Sequence, residues 1–166
     1  MSLEINKTIN VVIAGLGGQG VIKASDILSE AAFRSGFAVK KSEIHGMSQR
    51  GGSVTSDVRF GPQVLSPMVP PGEADFLVVL APDQVEVNRG QLRAGGVLIA
   101  PELIDPATLA NRKSFNIALL GALSTRLDIS EETWRAAIHA CLPEKLHAAN
   151  EQAFAVGRRA GAISKP

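Results

Sequence analysis

The sequence contains a single cysteine, Cys141, among its 166 residues. One thiol excludes an internal disulfide framework, and it excludes an iron–sulfur cluster held by this chain alone, because such clusters need about four thiolates. A structural zinc site is also disfavoured, since the only imidazoles are those of His45, His139 and His147. We therefore predict that this chain binds no metal.

Long apolar runs and an excess of charge are absent as well. No apolar run approaches the roughly 20 residues of a membrane-spanning helix. The opening MSLEINKTIN lacks the layout of a signal peptide. The formal net charge is +1, which gives no electrostatic case for binding nucleic acid or an anionic membrane. We expect a cytoplasmic protein with neither kind of partner.

The sequence does contain an alternation of apolar runs and amphipathic segments. Ile9–Leu16 is rich in β-branched residues and precedes a helical pattern over Val21–Ser35, as in a buried parallel strand and its crossover helix. The other predicted strands are Phe37–Lys41, Ser53–Phe60, Phe76–Ala81 and Val97–Ala100, and the other predicted helices are Asp83–Leu92, Asn116–Leu127, Glu131–Cys141 and Glu144–Val156. The alternation predicts an α/β fold: one three-layer α/β/α domain over 1–158, Rossmann-like, with a largely parallel sheet, then a flexible tail at 159–166.

A glycine-rich motif stands between the first predicted strand and the first predicted helix. GLGGQG, Gly15–Gly20, has the spacing of a dinucleotide-binding loop. Glycines let the backbone approach a phosphate, and the helix N-terminus presents amides with partial positive charge. The residues that we predict to contact a cofactor are Gly15, Gly17, Gly18, Gln19 and Gly20, together with Gly51 and Gly52 further along the chain.

The rest of the dinucleotide pattern is missing. An acidic residue is expected about 20 residues on, at the end of the second strand, to bind a ribose. The sequence has Lys40-Lys41-Ser42 there, and Glu43 falls beyond the predicted strand end. Lys40 or Lys41 could suit a 2′-phosphate, although arginine does so better. A nicotinamide dinucleotide, another anion or carbonyl, and a purely structural turn all remain open.

The segment HGMSQRGGS, from His45 to Ser53, has neither a strand nor a helix period and is predicted to be a loop. It combines an imidazole, a guanidinium and short polar side chains with the glycine pair Gly51-Gly52. The side chains that we predict to act in catalysis are His45, Ser48, Gln49 and Arg50. Two structural alternatives stay open, namely that Arg50 pairs with Glu43 or Asp57, and that His45 braces the loop.

Together the two motifs resemble a known family. GLGGQGV, followed about thirty residues later by HGMSQRGGSV, resembles the γ-type subunits of 2-oxoacid:ferredoxin oxidoreductases. The extended second motif most resembles the small subunit of the indolepyruvate-type enzymes. SPMVPPGEADFLVVL, ALLGAL and NEQAFAVGR are similar to further segments of the family. One departure is that members often carry an acidic residue after LVVL, where this sequence has Ala81-Pro82.

The resemblance implies an oxidative, coenzyme A-dependent decarboxylation of an aryl 2-oxoacid, with ferredoxin as electron acceptor. Such enzymes use thiamine diphosphate and 4Fe–4S clusters, but this sequence has one cysteine and no Gly-Asp-Gly thiamine motif. We therefore expect these cofactors on a larger partner subunit and none on this chain alone. The alternatives are a γ subunit for pyruvate, 2-oxoglutarate or branched-chain oxoacids, a free-standing Rossmann-type nucleotide-binding protein, and a scaffold module.

Both motifs follow predicted strand ends, so we expect them to lie together at the C-terminal edge of the sheet. On the family resemblance, that edge would face the partner's active site. Arg50 would then bind a 2-oxoacid carboxylate or a coenzyme A phosphate. Ser48 and Gln49 would supply hydrogen bonds, and His45 would transfer a proton.

Overall fold

The structure, a computed structural model, describes residues 7–46 and 51–164. The strands are β1 Ile9–Leu16, β2 Ala38–His45, β3 Ser53–Gly61, β4 Ala74–Val79 and β5 Leu92–Ile99. The helices are α1 Val21–Arg34, α2 Val85–Asn88, α3 Phe115–Ser124, α4 Glu131–Cys141 and α5 His147–Ile163, and several short 3-10 turns join them. In this part of the chain the strands form one sheet with the order β2-β3-β1-β4-β5.

The predicted α/β class is confirmed, and the sheet is mixed. β1 pairs in parallel with β4, and β4 with β5, whereas β3 pairs antiparallel with both β1 and β2. Four strands therefore run in one direction and β3 runs in the other. Because β3 lies between β1 and β2, the end of β2 is two strand spacings away from β1, whereas a Rossmann dinucleotide fold places these strands side by side.

Alternate side chains of β1 enter two separate apolar clusters. Val11 and Ile13 are buried in the large cluster that includes α1, α3, α4 and α5. Val12 and Ala14 face the opposite way, as alternation requires, and join a smaller cluster with Val69. The loop around Val69 and the segment that contains α2 cover this second face. The long helices α1, α3, α4 and α5 all pack against the other face of the sheet.

The helices α3 and α5 pack at very close range through glycine. A Cβ atom on Gly157 would lie 1.7 Å from the carbonyl oxygen of Ala118, and one on Gly121 would lie 2.2 Å from that of Phe154. The prediction that Gly157 ends the last helix is wrong, because α5 continues to Ile163. Gly157 instead removes the side chain that would separate the two backbones. α5 thus extends into the segment 159–166, which was predicted to be a flexible tail.

Two further boundaries differ from the prediction. The second strand continues beyond Lys41 to His45, because its residues pair with β3 along their whole length. The predicted helix Asp83–Leu92 consists of two 3-10 turns around the four-residue α2, and Leu92 already belongs to β5. Gly95 and Gly96 lie inside β5 rather than between a helix and a strand. Gly95 has φ +77°, a conformation that a side chain would disfavour.

The start of α4 is as the sequence predicts. The hydroxyl of Ser130 accepts a hydrogen bond from the backbone amide of Thr133 at 3.1 Å, and acidic residues occupy the first turn. Such a cap satisfies one of the free amides at a helix N-terminus. Among the residues that the structure describes, no helix is both long and apolar enough to cross a membrane.

Candidate functional site

The glycine motif forms a tight turn that closes on itself. The backbone amide of Gln19 donates to the carbonyl oxygen of Leu16 at 3.1 Å, and the side-chain Oε1 of Gln19 accepts from the Leu16 amide at 2.7 Å. Gly18 and Gly20 have φ values of 90° and 82°, in the left-handed region that favours glycine. The carbonyl end of the Gln19 side chain therefore braces the turn.

Gly15 is a packing residue. A Cβ atom there would lie 2.9 Å from both Gln19 Oε1 and Val21 Cγ2, and 3.1 Å from Leu80 Cβ. Gly15 is buried, whereas Gly17 and Gly18 are exposed. Within the motif, Gly17 and Gly18 are therefore the residues most open to a ligand or a partner.

The two sequence motifs meet in the structure. The backbone amide of Gly17 donates to the carbonyl oxygen of Gly52 at 2.8 Å. A Cβ atom on Gly17 would lie 3.4 Å from the Gly51 nitrogen, so the backbones are in close contact. The prediction that the glycine loop and the second motif lie together at the C-terminal edge of β1 is confirmed for these described residues.

His45 belongs to this edge, but not as a loop residue. It is the last residue of β2 and pairs with Val54 of β3, which in turn pairs with Gly15 of β1. Directly paired residues project to the same face of a sheet, and Val54 is part of the large cluster on the helical side. The prediction that His45 lies in a loop is therefore wrong, because the strand pairing extends through it.

A cavity of about 370 Å³ opens at this edge. Its walls come from the glycine loop, from the first turn of α1 including Lys23, and from His45 and Val54. The amides in the first turn of α1 have no partner within the helix and carry the positive end of its dipole. The cavity thus combines hydrogen-bond donors, a lysine and an exposed imidazole.

Asn116 and Lys23 contribute to this region and were missed by the sequence analysis. The Nδ2 of Asn116 donates to the carbonyl oxygen of Gly20 at 3.0 Å, across 96 residues of sequence. The Nζ of Lys23 donates to the carbonyl oxygen of Cys141 at 3.3 Å. The signal for Asn116 was its position at the start of an apolar helix, where a buried amide needs a partner.

Ser48, Gln49 and Arg50 lie outside the described residues, so their predicted roles stay predictions. The acids named as alternative partners of Arg50 both have other contacts. Glu43 Oε1 accepts from Lys41 Nζ at 2.6 Å, and Asp57 Oδ2 accepts from the backbone amide of Val69 at 2.9 Å.

The ammonium group of Lys41 is engaged in an ion-pair cluster. It contacts the carboxylates of both Asp26 and Glu43. Burial lowers the pKa of Lys41, but the hydrogen bonds to the two carboxylates outweigh burial, and the net shift is upwards. Of the two lysines suggested for a 2′-phosphate, Lys40 and Lys41, the second is thus already paired with two carboxylates.

The geometry disfavours a dinucleotide in this loop. The end of β2 lies about 10 Å from β1, the width of two strand spacings, because β3 is inserted between them. In addition, the Gly17 amide is occupied by Gly52 and is not directed at a phosphate. In the described ranges 7–46 and 51–164, the features that distinguish a dinucleotide site from a glycine turn are therefore missing.

The donor set does not suit a metal or an iron–sulfur cluster. Over residues 7–46 and 51–164, no group of three or more histidine, cysteine, aspartate or glutamate side chains is placed to hold a metal. Cys141 is half-buried. Burial raises the pKa of its thiol, and Glu30 and Asp26 add to the shift, so it is a poor source of thiolate.

Comparison with known proteins gives consistent matches in sequence. Residues 10–160 match the family model for pyruvate ferredoxin/flavodoxin oxidoreductase. The indolepyruvate oxidoreductase subunit IorB of Thermococcus kodakarensis is 35% identical, over 93% of this chain and 96% of that one. The pyruvate/ketoisovalerate oxidoreductases common subunit gamma of Thermococcus litoralis is 32% identical, over 73% of this chain and 68% of that one.

Solved structures share the fold. The gamma subunit of a keto/oxoacid ferredoxin oxidoreductase from Geobacter sulfurreducens matches with a TM-score of 0.81 and 24% identity, over 96% of this chain and 99% of that one. A chain of the 2-oxoglutarate:ferredoxin oxidoreductase from Magnetococcus marinus also matches with a TM-score of 0.81, at 22% identity, over 96% of this chain but 32% of that one. The fold therefore occurs both alone and as part of a longer chain.

Proposed function

We propose that this chain is the small subunit of an enzyme that oxidises aryl 2-oxoacids such as indolepyruvate. The chain belongs to the pyruvate ferredoxin/flavodoxin oxidoreductase family. In that reaction a 2-oxoacid and coenzyme A yield an acyl-CoA, carbon dioxide and a proton. The two electrons released reduce two molecules of ferredoxin. The aryl substrate class is supported most by the match to an indolepyruvate oxidoreductase subunit, which spans nearly the whole of both chains.

The catalytic cofactors of such an enzyme would be held by a larger subunit. The reaction needs iron–sulfur clusters for the electrons and thiamine diphosphate for the acyl carbanion. This chain has one cysteine and no Gly-Asp-Gly motif, so its residues fit neither group. We propose a heteromeric complex in the cytoplasm in which the larger subunit carries both cofactors and delivers electrons to ferredoxin.

The part of this chain that serves the reaction would be the edge formed by the glycine loop, His45 and Gly51-Gly52. Its support is the contact between the Gly17 amide and the Gly52 carbonyl, which places both motifs beside one cavity. His45 and Lys23 border that cavity and bring an imidazole and a lysine side chain to it. Arg50, Gln49 and Ser48 follow His45 closely in sequence, and we propose that they contact substrate, coenzyme A or the partner from there.

Reconstitution under anaerobic conditions tests this proposal. The large subunit, with and without this chain, would be assayed for coenzyme A-dependent reduction of ferredoxin with indolepyruvate, phenylpyruvate, pyruvate, 2-oxoglutarate and a branched-chain oxoacid. We expect turnover only with both subunits, and the highest kcat/KM with the aryl substrates. A preference for pyruvate, 2-oxoglutarate or the branched-chain acid would overturn the aryl assignment and favour another γ subunit. Activity of the large subunit alone would contradict the role in completing the site.

A further inference from the structure

We propose that Asn116, in the first turn of α3, is a positioning residue that holds the glycine loop in the shape its cavity requires. Its role in the loop stands on the geometry alone, whereas its effect on turnover rests on the proposed function of this edge. Neither sequence motif contains Asn116, and the contact links the motif to the layer of helices.

The hydrogen bond from Asn116 fixes the point where the loop becomes a helix. Its Nδ2 lies 3.0 Å from the carbonyl oxygen of Gly20. That oxygen also accepts from the backbone amide of Ala24 at 3.0 Å, which is the first bond of α1. Two donors thus orient one peptide group, and this group precedes the first-turn amides that border the cavity. Asn116 is buried, with 7% of its surface exposed, so water competes little for the bond.

Gly20 and Asn116 are also matched in shape. Gly20 has φ 82°, and a Cβ atom on it would lie 2.4 Å from Asn116 Nδ2 and 3.0 Å from Asn116 Cγ. The amide group of Asn116 therefore fills the space that a side chain at position 20 would take. A glycine at this position is required both by the backbone conformation and by the asparagine.

A rigid helix supports Asn116. α3 lies against α5 with the backbones in contact at Gly157 and Ala118, so the position of α3 is closely constrained. The two other contacts that hold the loop have different origins. Gln19 acts within the turn, and Gly52 belongs to the neighbouring motif. Asn116 supplies the link between the loop and the helical core.

Two substitutions separate the hydrogen bond from the volume of the side chain. Asn116→Asp keeps the shape but puts an acceptor opposite the Gly20 carbonyl, whereas Asn116→Ala removes the group. Asn150 provides a matched control, because it has the same 7% exposure. Its Nδ2 donates to the carbonyl oxygen of Leu146 at 2.8 Å, at the start of α5. Asn150→Ala therefore removes an equivalent bond away from the glycine loop.

The first measurement is amide hydrogen exchange of the free chain. We expect the Asn116 variants to speed exchange at the hydrogen-bonded amides of this region, those of Leu16, Gly17, Gln19 and Ala24, by roughly tenfold, the effect of weakening local closure by about 1.4 kcal/mol. Asn150→Ala should leave exchange in this segment unchanged. Equal exchange in the Asn116 and Asn150 variants would overturn the positioning role.

The second measurement is kinetic and uses the assembled complex. We expect Asn116→Asp to lower kcat/KM about tenfold relative to Asn150→Ala, with the complex intact. Faster loop exchange together with unchanged kinetics would uphold the positioning role but contradict the proposed use of this edge in the reaction. The two hypotheses are therefore distinguishable.

A double-mutant cycle covers the case in which one variant folds poorly. Gly20→Ala should lower the denaturation midpoint, because its methyl group meets the Asn116 amide. In an Asn116→Ala background the same substitution should lower the midpoint less, since the space has been vacated. Equal losses in the two backgrounds would contradict the contact between Gly20 and Asn116.

Discussion

The backbone amide of Gly17 donates a hydrogen bond to the carbonyl oxygen of Gly52 at 2.8 Å. This bond joins two segments that lie far apart in sequence and brings them to one edge of the sheet. It also places a second backbone segment against Gly17, the position at which the backbone of a dinucleotide-binding loop approaches the pyrophosphate. The motif GLGGQG therefore serves here to dock a second loop, and the resulting surface belongs to both.

We expect Arg50→Ala to lower kcat/KM in the assembled enzyme. The decrease should correspond to a loss of about 1–3 kcal/mol of transition-state stabilisation, the value of a charge-assisted hydrogen bond. The complex itself should remain intact by size-exclusion chromatography. Arg50→Lys keeps the charge but loses the fork of donors, so it should recover only part of the activity. Unchanged steady-state kinetics in Arg50→Ala, at both limiting and saturating substrate, would exclude contact with a ligand.

Gly157→Ala should destabilise the folded chain strongly. The new methyl carbon would lie 1.7 Å from the Ala118 carbonyl oxygen, so α3 and α5 must separate. We expect a loss of about 3 kcal/mol in the free energy of unfolding, at the upper end for overpacking. Urea denaturation would measure it. Gly90→Ala is the control, since a Cβ atom there meets no atom within 4 Å. Equal stability of the two variants would show that α3 and α5 do not pack in this way.

The buried carboxyl group of Asp57 should make stability depend on pH. Burial raises its pKa above the ordinary 3.8, although the hydrogen bond from Val69 and the charge of Arg59 oppose the shift. A group with a raised folded-state pKa binds more protons in the folded state, so its contribution to stability falls as the pH rises from 3.8 through the raised pKa. The charged form of Asp57 is therefore less favourable in the folded chain than in the unfolded chain.

Asp57→Asn tests this effect, because the amide oxygen can still accept from the Val69 amide without carrying a charge. Urea denaturation would give the free energy of unfolding of the variant and of the wild type at each pH. The difference between them should favour Asp57→Asn more at pH 7 than at pH 4. Asp57→Ala, by contrast, leaves the Val69 amide without this acceptor and should cost about 1–3 kcal/mol at both pH values. A pH-independent difference between Asp57→Asn and the wild type would contradict the raised pKa.

Elements with local signals could be predicted from the sequence. β1 was found to the residue, because its apolar run ends at glycine, and α4 was found because Ser130 caps it. Contacts between distant segments could not be predicted in the same way. The antiparallel pairing of β3 with β1 and β2 depends on which strands meet, and a period of two does not encode strand direction.

The same limit applies to the candidate site. The proximity of the two motifs was predicted correctly, because both follow strand ends. Asn116 contacts Gly20 across 96 residues, and its position at the start of an apolar helix does not reveal which residue its amide contacts. Gly157 was misassigned as a helix end because a glycine near a helix C-terminus usually has that role. Only the packing of α3 against α5 shows that it is a point of close approach.

Hydrogen exchange of the free chain and of its complex with the large subunit tests the central claim most directly. If the edge formed by the glycine loop, His45 and Gly51-Gly52 faces the partner's active site, the amides of residues 16–23 and 51–54 should exchange more slowly in the complex. The segment 105–114 is a suitable reference, because it lies outside the glycine loop, the second motif and the cavity walls. Protection of 16–23 and 51–54 with little change at 105–114 is the result that we predict. Unchanged exchange at this edge in an intact, active complex would contradict the account.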